Sequence, residues 1–285
     1  NRKQVILFQN RRGYAPILEC MSCGHCPQCT QCDVSLTYHQ TKNQLCCHYC
    51  GYNIPMPIQC HACGMTTLST KGFGTQQIEE QIKKLFPNTS VGRMDWDSTR
   101  GKWDFDKIIE AFDKERIQIL VGTQMVVKGL DFKNVLLVGV INADHVLNIP
   151  DFRAHERSYQ MMCQVAGRAG RSDQKGKVLI QTFQPDHPTL KHVLEHNYEE
   201  LYLTQKKERK NYHYPPYFKM IRITFKSRQY ETVNMSSEWF SNVIKQSYQG
   251  SILGPIFPAV SRVRNLFHKQ LLIKVDHKLN SNEVK

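Results

Sequence analysis

The sequence predicts an α/β protein: one wound parallel lobe, interrupted near its start by a cysteine-rich module and followed by a small α+β domain. Three observations carry this reading. Ten of the eleven cysteines fall between Cys20 and Cys63, mostly as Cys-x-x-Cys pairs. From residue 67 onward, short continuous apolar runs alternate with amphipathic segments, the pattern of buried parallel strands and their crossover helices. Near residue 204 the charge balance changes, and a basic run leads into the tetrapeptide YPPY at 214–217.

In chain order, the opening apolar run from Val5 to Phe8 is too short for a secretory signal or a membrane span. With Asn1 as first residue, the expectation is a cytoplasmic piece of a longer protein. After the cysteines, Thr75 reads as a helix cap ahead of Ile78, Ile82, Leu85 and Phe86, which share a helical face. Asp104 does the same for Phe105, Ile108, Ile109 and Phe112. Ile117 to Val121, Val135 to Ile141 and Val178 to Ile180 read as buried strands. Past the double proline, which predicts extended chain, Ile221 to Phe225 and Leu271 to Val275 read as strands flanking a helix from Thr232 to Tyr248. The expected division is 1–18 and 67–203 for the lobe, 19–66 for the inserted module and 204–285 for the terminal domain.

The chain is 285 residues with a formal charge of +13. Residues 67–203 are balanced, with 18 Lys/Arg against 18 Asp/Glu, whereas 204–285 hold 15 against 5. Clustered cations gain by releasing phosphate counterions, so nucleic acid is the expected partner of that segment; a solvated basic face kept for solubility is the alternative.

Cys20/Cys23, Cys29/Cys32, Cys47/Cys50 and Cys60/Cys63 form four pairs, enough thiolates for two closed tetrahedral zinc sites in a reducing compartment. Gly24, Gly51 and Gly64 follow three pairs and Asp33 the fourth, residues that tolerate a tight turn. The short step from Cys23 to Cys29 and the ribbon-like spacing from Cys32 to Cys47 favour nesting. Cys29, Cys32, Cys47 and Cys50 then take the inner zinc, and Cys20, Cys23, Cys60 and Cys63 the outer; sequential pairing stays open. Cys26 completes a run of cysteines at every third position, as in the opening of a ferredoxin-type cluster motif, but the x₃ gap and Cys-Pro ending are missing. His48 and His61 lie inside pairs and could replace a thiolate, but the complete set of eight cysteines favours reading them as non-ligating surface histidines; Cys46 has no pair, and Cys163 falls on an apolar helical face with Tyr159 and Met162.

Two segments point to different chemistry. GTQMVVKGLDF (122–132) follows a strand, and QVAGRAGR (164–171) ends an amphipathic helix. Gln164, Arg168 and Arg171 are spaced i, i+4, i+7, one helical stripe, and planar guanidinium groups there suit a phosphate presented by another lobe. No Gly-x-x-x-x-Gly-Lys-Ser/Thr occurs, and Asn142 to His145 lacks the second carboxylate of a magnesium-binding box. The chain therefore holds no complete ATP site, and Asp144 reads as a structural or lobe-contact residue rather than a magnesium ligand.

The two segments resemble motifs V and VI of superfamily 2 helicases. Together with NRRGYA (10–15), CHYCG (47–51) and YPPY (214–217), in that order, they make nearly the whole chain similar to the PriA (primosomal protein N′) family of replication-restart DNA helicases. The resemblance implies a RecA-like second helicase lobe carrying a two-zinc module, and 3′→5′ unwinding at stalled or repaired forks. ATP with Mg²⁺ would be bound mainly by a first lobe that, with an N-terminal DNA-binding domain, lies outside this chain. Arg171 and Arg168 would serve as catalytic residues at the γ-phosphate, with Gln164 sensing it. Thr123 would touch a DNA phosphate, Lys128, Gly129 and Asp131 would couple DNA to nucleotide, and Thr75, in the GFGTQ turn (72–76), would receive a phosphate at a helix N-terminus. Implied partners are forked and single-stranded DNA, single-strand-binding protein and other primosome proteins, not membrane, in a cytoplasmic, nucleoid-associated setting. The alternative is a zinc-ribbon nucleic-acid-binding module without motor activity.

Overall fold

The computed structural model describes residues 3–9, 17–39, 43–71, 74–95, 98–99, 101, 103–126, 132–170 and 175–277. The chain divides into two compact units, one of residues 1–14 and 72–205, the other of 15–71 and 206–285. Among the described residues no helix is long and apolar enough to cross a membrane.

The first unit is a five-stranded parallel sheet. Strand β1 (Gln4–Gln9) is its centre, with β8 (Ile119–Gly122) and then β7 (Val91–Met94) on one side, and β9 (Val135–Ile141) and then β10 (Lys177–Ile180) on the other. Val5 pairs with both Ile119 and Leu137, so this short apolar run is the middle of the core. Ile6 and Phe8 are fully buried, and so is Gln4, whose Nε2 donates to the carbonyls of Phe112 (2.6 Å) and Ile117 (2.8 Å). Helices α1 (Thr75–Leu85), α2 (Asp104–Asp113), α3 (Asp144–Leu147), α4 (Ala154–Ala166) and α5 (Pro188–Leu194) accompany the strands. Phe112 of α2 meets Phe132 edge to face at 4.6 Å in the core, a geometry aromatic pairs favour. Ahead of α4, Asp151 accepts from the Arg153 N–H (2.9 Å) and guanidinium (3.0 and 3.1 Å) and from Arg157 (3.2 Å).

Several expectations change here. The caps are Gly74 and Trp103, not Thr75 and Asp104, which are the first helical residues. Leu85 and Phe86 are 70% and 51% exposed, so only the first part of the α1 stripe reaches the core. Val178 and Leu179 belong to an edge strand and are exposed, not buried. Helix α4 ends at Ala166 with Gly167 as its cap, so Arg168 leaves the helix in a turn and does not continue a helical stripe with Gln164.

The second unit contains two antiparallel sheets. The first, in order β5-β4-β3-β2-β6, is built from β2 (Ile17–Cys20), β3 (Thr37–His39), β4 (Gln44–Cys46), β5 (Asn53–Pro55) and β6 (Leu68–Lys71). The second is β11 (Phe218–Ser227), β14 (Leu266–Asp276) and β12 (Ser251–Ile256), with β13 (Arg262–Val263) folding back on β14. Helix α7 (Tyr230–Ser247) packs on this sheet through Phe240 and Ile244 against Leu271, Ile273 and Ile252. Ser237 and Ser241, fully buried on that helix face, let its backbone come close. A helix over Tyr198–Asn211 (α6) runs through residue 204, and residues 214–217 form a turn, not extended chain, held where Lys274 Nζ lies 4.0 Å from the Tyr214 ring.

Candidate functional site

The structure brings the paired cysteines into two sets of four: Cys20, Cys23, Cys60 and Cys63, and Cys29, Cys32, Cys47 and Cys50, with the sulfurs of each set all within 4.8 Å of one another. The arrangement is nested, not sequential. Sulfur separations of 3.6 Å (Cys20–Cys63), 3.7 Å (Cys23–Cys60) and 3.5 Å (Cys29–Cys50) are far beyond a disulfide bond. They match a tetrahedral shell with Zn–S bonds of about 2.3 Å, whose sulfurs lie about 3.8 Å apart.

One local turn, repeated four times, aims these sulfurs. In each pair the first cysteine donates its N–H to the carbonyl five residues on: Cys20 to His25, Cys29 to Val34, Cys47 to Tyr52 and Cys60 to Met65, at 2.7 to 2.9 Å. In three pairs the glycine four residues on closes the turn by donating back to that cysteine's carbonyl, at 2.8 Å for Gly24 and Gly64 and 3.0 Å for Gly51. Their φ angles of +73°, +73° and +85° are why glycine stands there. Backbone N–H groups of Gln31 and Tyr52 then point at Cys29 and Cys50 Sγ, each at 3.4 Å.

Sulfurs gathered this closely oppose one another's ionisation when no cation lies between them. Burial raises Cys20, but the N–H groups of Cys23 and Ser22 outweigh it and bring the thiol down to about 6. Cys23, although lowered by the His25 N–H, is pushed up to about 12 by Cys63 and its other sulfur neighbours. In the other set Cys29 is pushed up to about 12, by burial first and by Cys50 and Cys47 against the Gln31 N–H. A soft dication between the sulfurs removes that conflict, so the donor set fits zinc. Cys26 donates to the Gly24 carbonyl at 3.7 Å and lies outside both sets, which split the every-third-residue run between two centres; among the described residues no ferredoxin-like cysteine cluster gathers. His48 faces His39, Nε2 to Nε2 at 3.0 Å, and neither His48 nor His61 joins a sulfur set.

The remaining site residues are spread along the parallel sheet. Thr123, buried, follows β8 and donates its N–H to Met94 O at 3.2 Å. A Cβ on the preceding Gly122 would come within 2.8 Å of that same carbonyl oxygen and collide with Val126, so β8 can end this way only at glycine. The Thr75 hydroxyl donates to the Asp95 carboxylate at the end of β7. Gln164 is exposed on α4; Arg168 sits in the turn after it, and Gly170 N–H ties that turn to Val135 O at 3.0 Å. Asp144 accepts from Thr182 Oγ1 and Phe183 N, both at 3.0 Å, a structural duty. Lys128, Gly129, Asp131 and Arg171, and the NRRGYA segment, lie outside the described residues.

Sequence reasoning missed the neighbours of the fourth cysteine turn, Ser261, Arg262 and Arg264, more than 200 residues away. No spacing rule reaches that far; the only local signal is the Arg264–Asn265 dipeptide, both residues at positive φ, which makes the tight β13–β14 hairpin.

Comparison with known proteins gives three family profiles in chain order: the PriA DNA helicase Cys-rich region domain at residues 29–55, the helicase conserved C-terminal domain at 67–173, and the primosomal protein N C-terminal domain at 210–285. The replication restart protein PriA of Bacillus subtilis is 39% identical over 274 residues, 95% of this chain and 34% of that protein. Those of Haemophilus influenzae and Chlamydia muridarum are 41% and 38% identical, over 95% and 99% of this chain and 37% and 38% of theirs. The chain thus spans little more than a third of the length of these relatives. Among solved structures, domain 2 of the DEAD-box helicase Mss116p bound to an RNA duplex matches over 42% of each chain at 20% identity and a TM-score of 0.31.

Proposed function

Since the chain belongs to the PriA family of replication restart proteins, we propose that it works as the C-terminal part of an ATP-dependent 3′→5′ DNA helicase that engages stalled or repaired forks and assembles the primosome there. The observation that carries this reading is a two-centre cysteine module that falls, in chain order, between the central strand β1 and helix α1 of a parallel sheet, with Gly122 and Thr123 at the end of β8 and Gln164 in the last turn of α4. Residues 1–18 and 67–203 are the motor lobe in this reading, 19–66 the zinc module and 204–285 a basic DNA-binding domain. Single-stranded and forked DNA, single-strand-binding protein and other primosome proteins are its partners.

The eight cysteines hold two zinc ions, whose part is to fix the module's fold. ATP with Mg²⁺, held mainly by the first lobe, supplies the phosphoryl group whose hydrolysis drives translocation. This chain's own contribution is positive charge and orientation. Arg168 and Arg171 stabilise the charge that builds on the γ-phosphate oxygens, and Gln164 reports the presence of that phosphate. Thr123, at the tip of β8, and Lys128, Gly129 and Asp131 after it, link a DNA phosphate to the nucleotide, with Thr75 receiving a second one. The chain alone is inactive in this account, because it lacks the phosphate-binding loop.

The test is DNA-stimulated ATP hydrolysis by protein carrying both lobes. Arg171→Ala is expected to retain both zinc ions and most DNA affinity while turnover falls about 10³-fold or more, as for an arginine finger. Arg171→Lys should not restore it, since an ammonium lacks the planar fork. Near-normal turnover in folded Arg171→Ala would remove the motor role and leave a zinc-ribbon nucleic-acid-binding module.

A further inference from the structure

The fourth cysteine turn differs from the other three. Asp33 stands where they have glycine, and its N–H, instead of closing back on Cys29, donates to Arg262 O at 2.9 Å. The Asp33 carboxylate accepts from Ser261 Oγ at 2.6 Å and from Arg262 Nε at 3.0 Å. On the other side of the same hairpin, Asn265 N–H donates to Gln31 O at 2.9 Å and Arg264 Nε to Tyr49 O at 3.1 Å. Between these, Arg264 N–H points at Cys32 Sγ from 3.3 Å, and Val263 packs on the apolar cluster of Leu18, Leu36 and Leu45 that surrounds the inner sulfurs. Cys29 and Cys50 each receive an N–H from their own turn; Cys32 receives its N–H from a residue 232 positions later.

We propose that the β13–β14 hairpin completes the inner metal centre. Its Arg264 N–H is an outer-sphere donor to Cys32 thiolate, and Ser261, Arg262 and Arg264 are positioning residues that hold it there. An N–H to a thiolate disperses negative charge the metal would otherwise bear alone and fixes the sulfur's direction, and losing such a partner typically weakens a metal site about 10- to 100-fold. Because binding is reciprocal, whatever the hairpin adds to metal affinity, the metal adds to docking of the C-terminal domain on the module. The outer set, Cys20, Cys23, Cys60 and Cys63, has all its turn-closing bonds within 20–25 and 60–65 and serves as an internal reference.

This inference rests on zinc occupying both sets, and the experiment separates the two claims. The full chain is loaded with zinc, total metal is measured after denaturation, and release to a chromophoric chelator is followed over time. Alkylation with mass spectrometry assigns each released equivalent to its cysteines. In Arg262→Ala/Arg264→Ala the inner equivalent should leave about tenfold faster or more, with the outer rate unchanged, and restoring Lys at both positions should recover part of the retention. Equal acceleration of both equivalents would reduce the effect to general loosening and overturn the proposal, as would unchanged inner release. Fewer than two zinc ions on wild type would remove the metal reading itself and the proposal with it. Hydrogen exchange on wild type needs no variant to fold: the Arg264 and Asn265 amides should be protected with metal bound and exchange freely after it is chelated, and protection that survives chelation would overturn the linkage.

Discussion

Gln4 gives the sharpest test of how the parallel lobe is held together. Its side chain is 2% exposed, and Nε2 donates to Phe112 O and Ile117 O, tying the central strand to the start of the segment that becomes β8. Gln4→Met keeps the length of the side chain and removes both donors. Each lost hydrogen bond is worth about 1 kcal/mol net, and a carbonyl left unpaired in the interior adds about 1 to 3 kcal/mol of uncompensated desolvation. Phe112 O retains a second donor, the Glu115 N–H at 3.0 Å, so the desolvation cost falls mainly on Ile117. Burying a thioether in place of an amide returns about 1 kcal/mol. The balance is a loss of about 2 to 4 kcal/mol, or a melting decrease of roughly 5 to 15 °C for a lobe of this size. Calorimetry of wild type and variant, with hydrogen exchange of the β1 amides to assign the transition, measures it. A change below about 0.5 kcal/mol would refute the claim that these two bonds anchor β1.

Three further outcomes are expected. Gly122→Ala should destabilise the lobe by about 1 to 3 kcal/mol in urea titration, because the new methyl meets Val126 and the Met94 carbonyl; an unchanged midpoint would mean the end of β8 relaxes freely. Asp151, held at about 2 chiefly by the Arg153 guanidinium, should keep its contribution to the start of α4 at all pH values above the ordinary carboxylate range and lose it only as pH falls through about 2. Carboxyl NMR titration reads this directly, and a midpoint near 4 would rule it out. Binding of the chain to single-stranded DNA should weaken steeply with salt: with about four phosphates neutralised the log–log slope is about −3, some 60-fold between 50 and 200 mM, and a flat dependence would disprove an electrostatic footprint on residues 204–285.

The parts legible in the sequence were those whose information is local. Val135 to Ile141 forms strand β9 with the expected bounds, because six apolar residues broken only by Gly139 read as a strand buried on both faces. The cysteine sets were readable because metal geometry restricts which pairs can meet. Strand β7 was missed since Gly92 and Arg93 interrupt its apolar pattern and only Met94 is fully buried. Strand β10 was misjudged for the opposite reason: Val178 and Leu179 look like core, and only the sheet order shows that they lie on its rim. Helix α4 carried a clear apolar face, but its end at Ala166 depends on Gly167 and Gly170 turning the chain back toward β9, a tertiary bond from Gly170 to Val135 that periodicity does not encode. The hairpin at Arg264 and Asn265 was missed because it lies ahead of the apolar run from Leu271 to Val275, in a stretch whose mixed residues signal no element.

The pairing of β2 with β6 bears on how such a chain assembles. Ile17 lies opposite Lys71, so the two ends of the cysteine module are neighbours in one ladder. A floppy insertion of that length between β1 and α1 would cost on the order of 3 kcal/mol in closure entropy before β1 met β8 and β9. Ends zipped together by their own ladder shrink that excursion to a short bridge. The closure cost of bringing β1 to β8 and β9 is therefore lower once the β2–β6 ladder has formed.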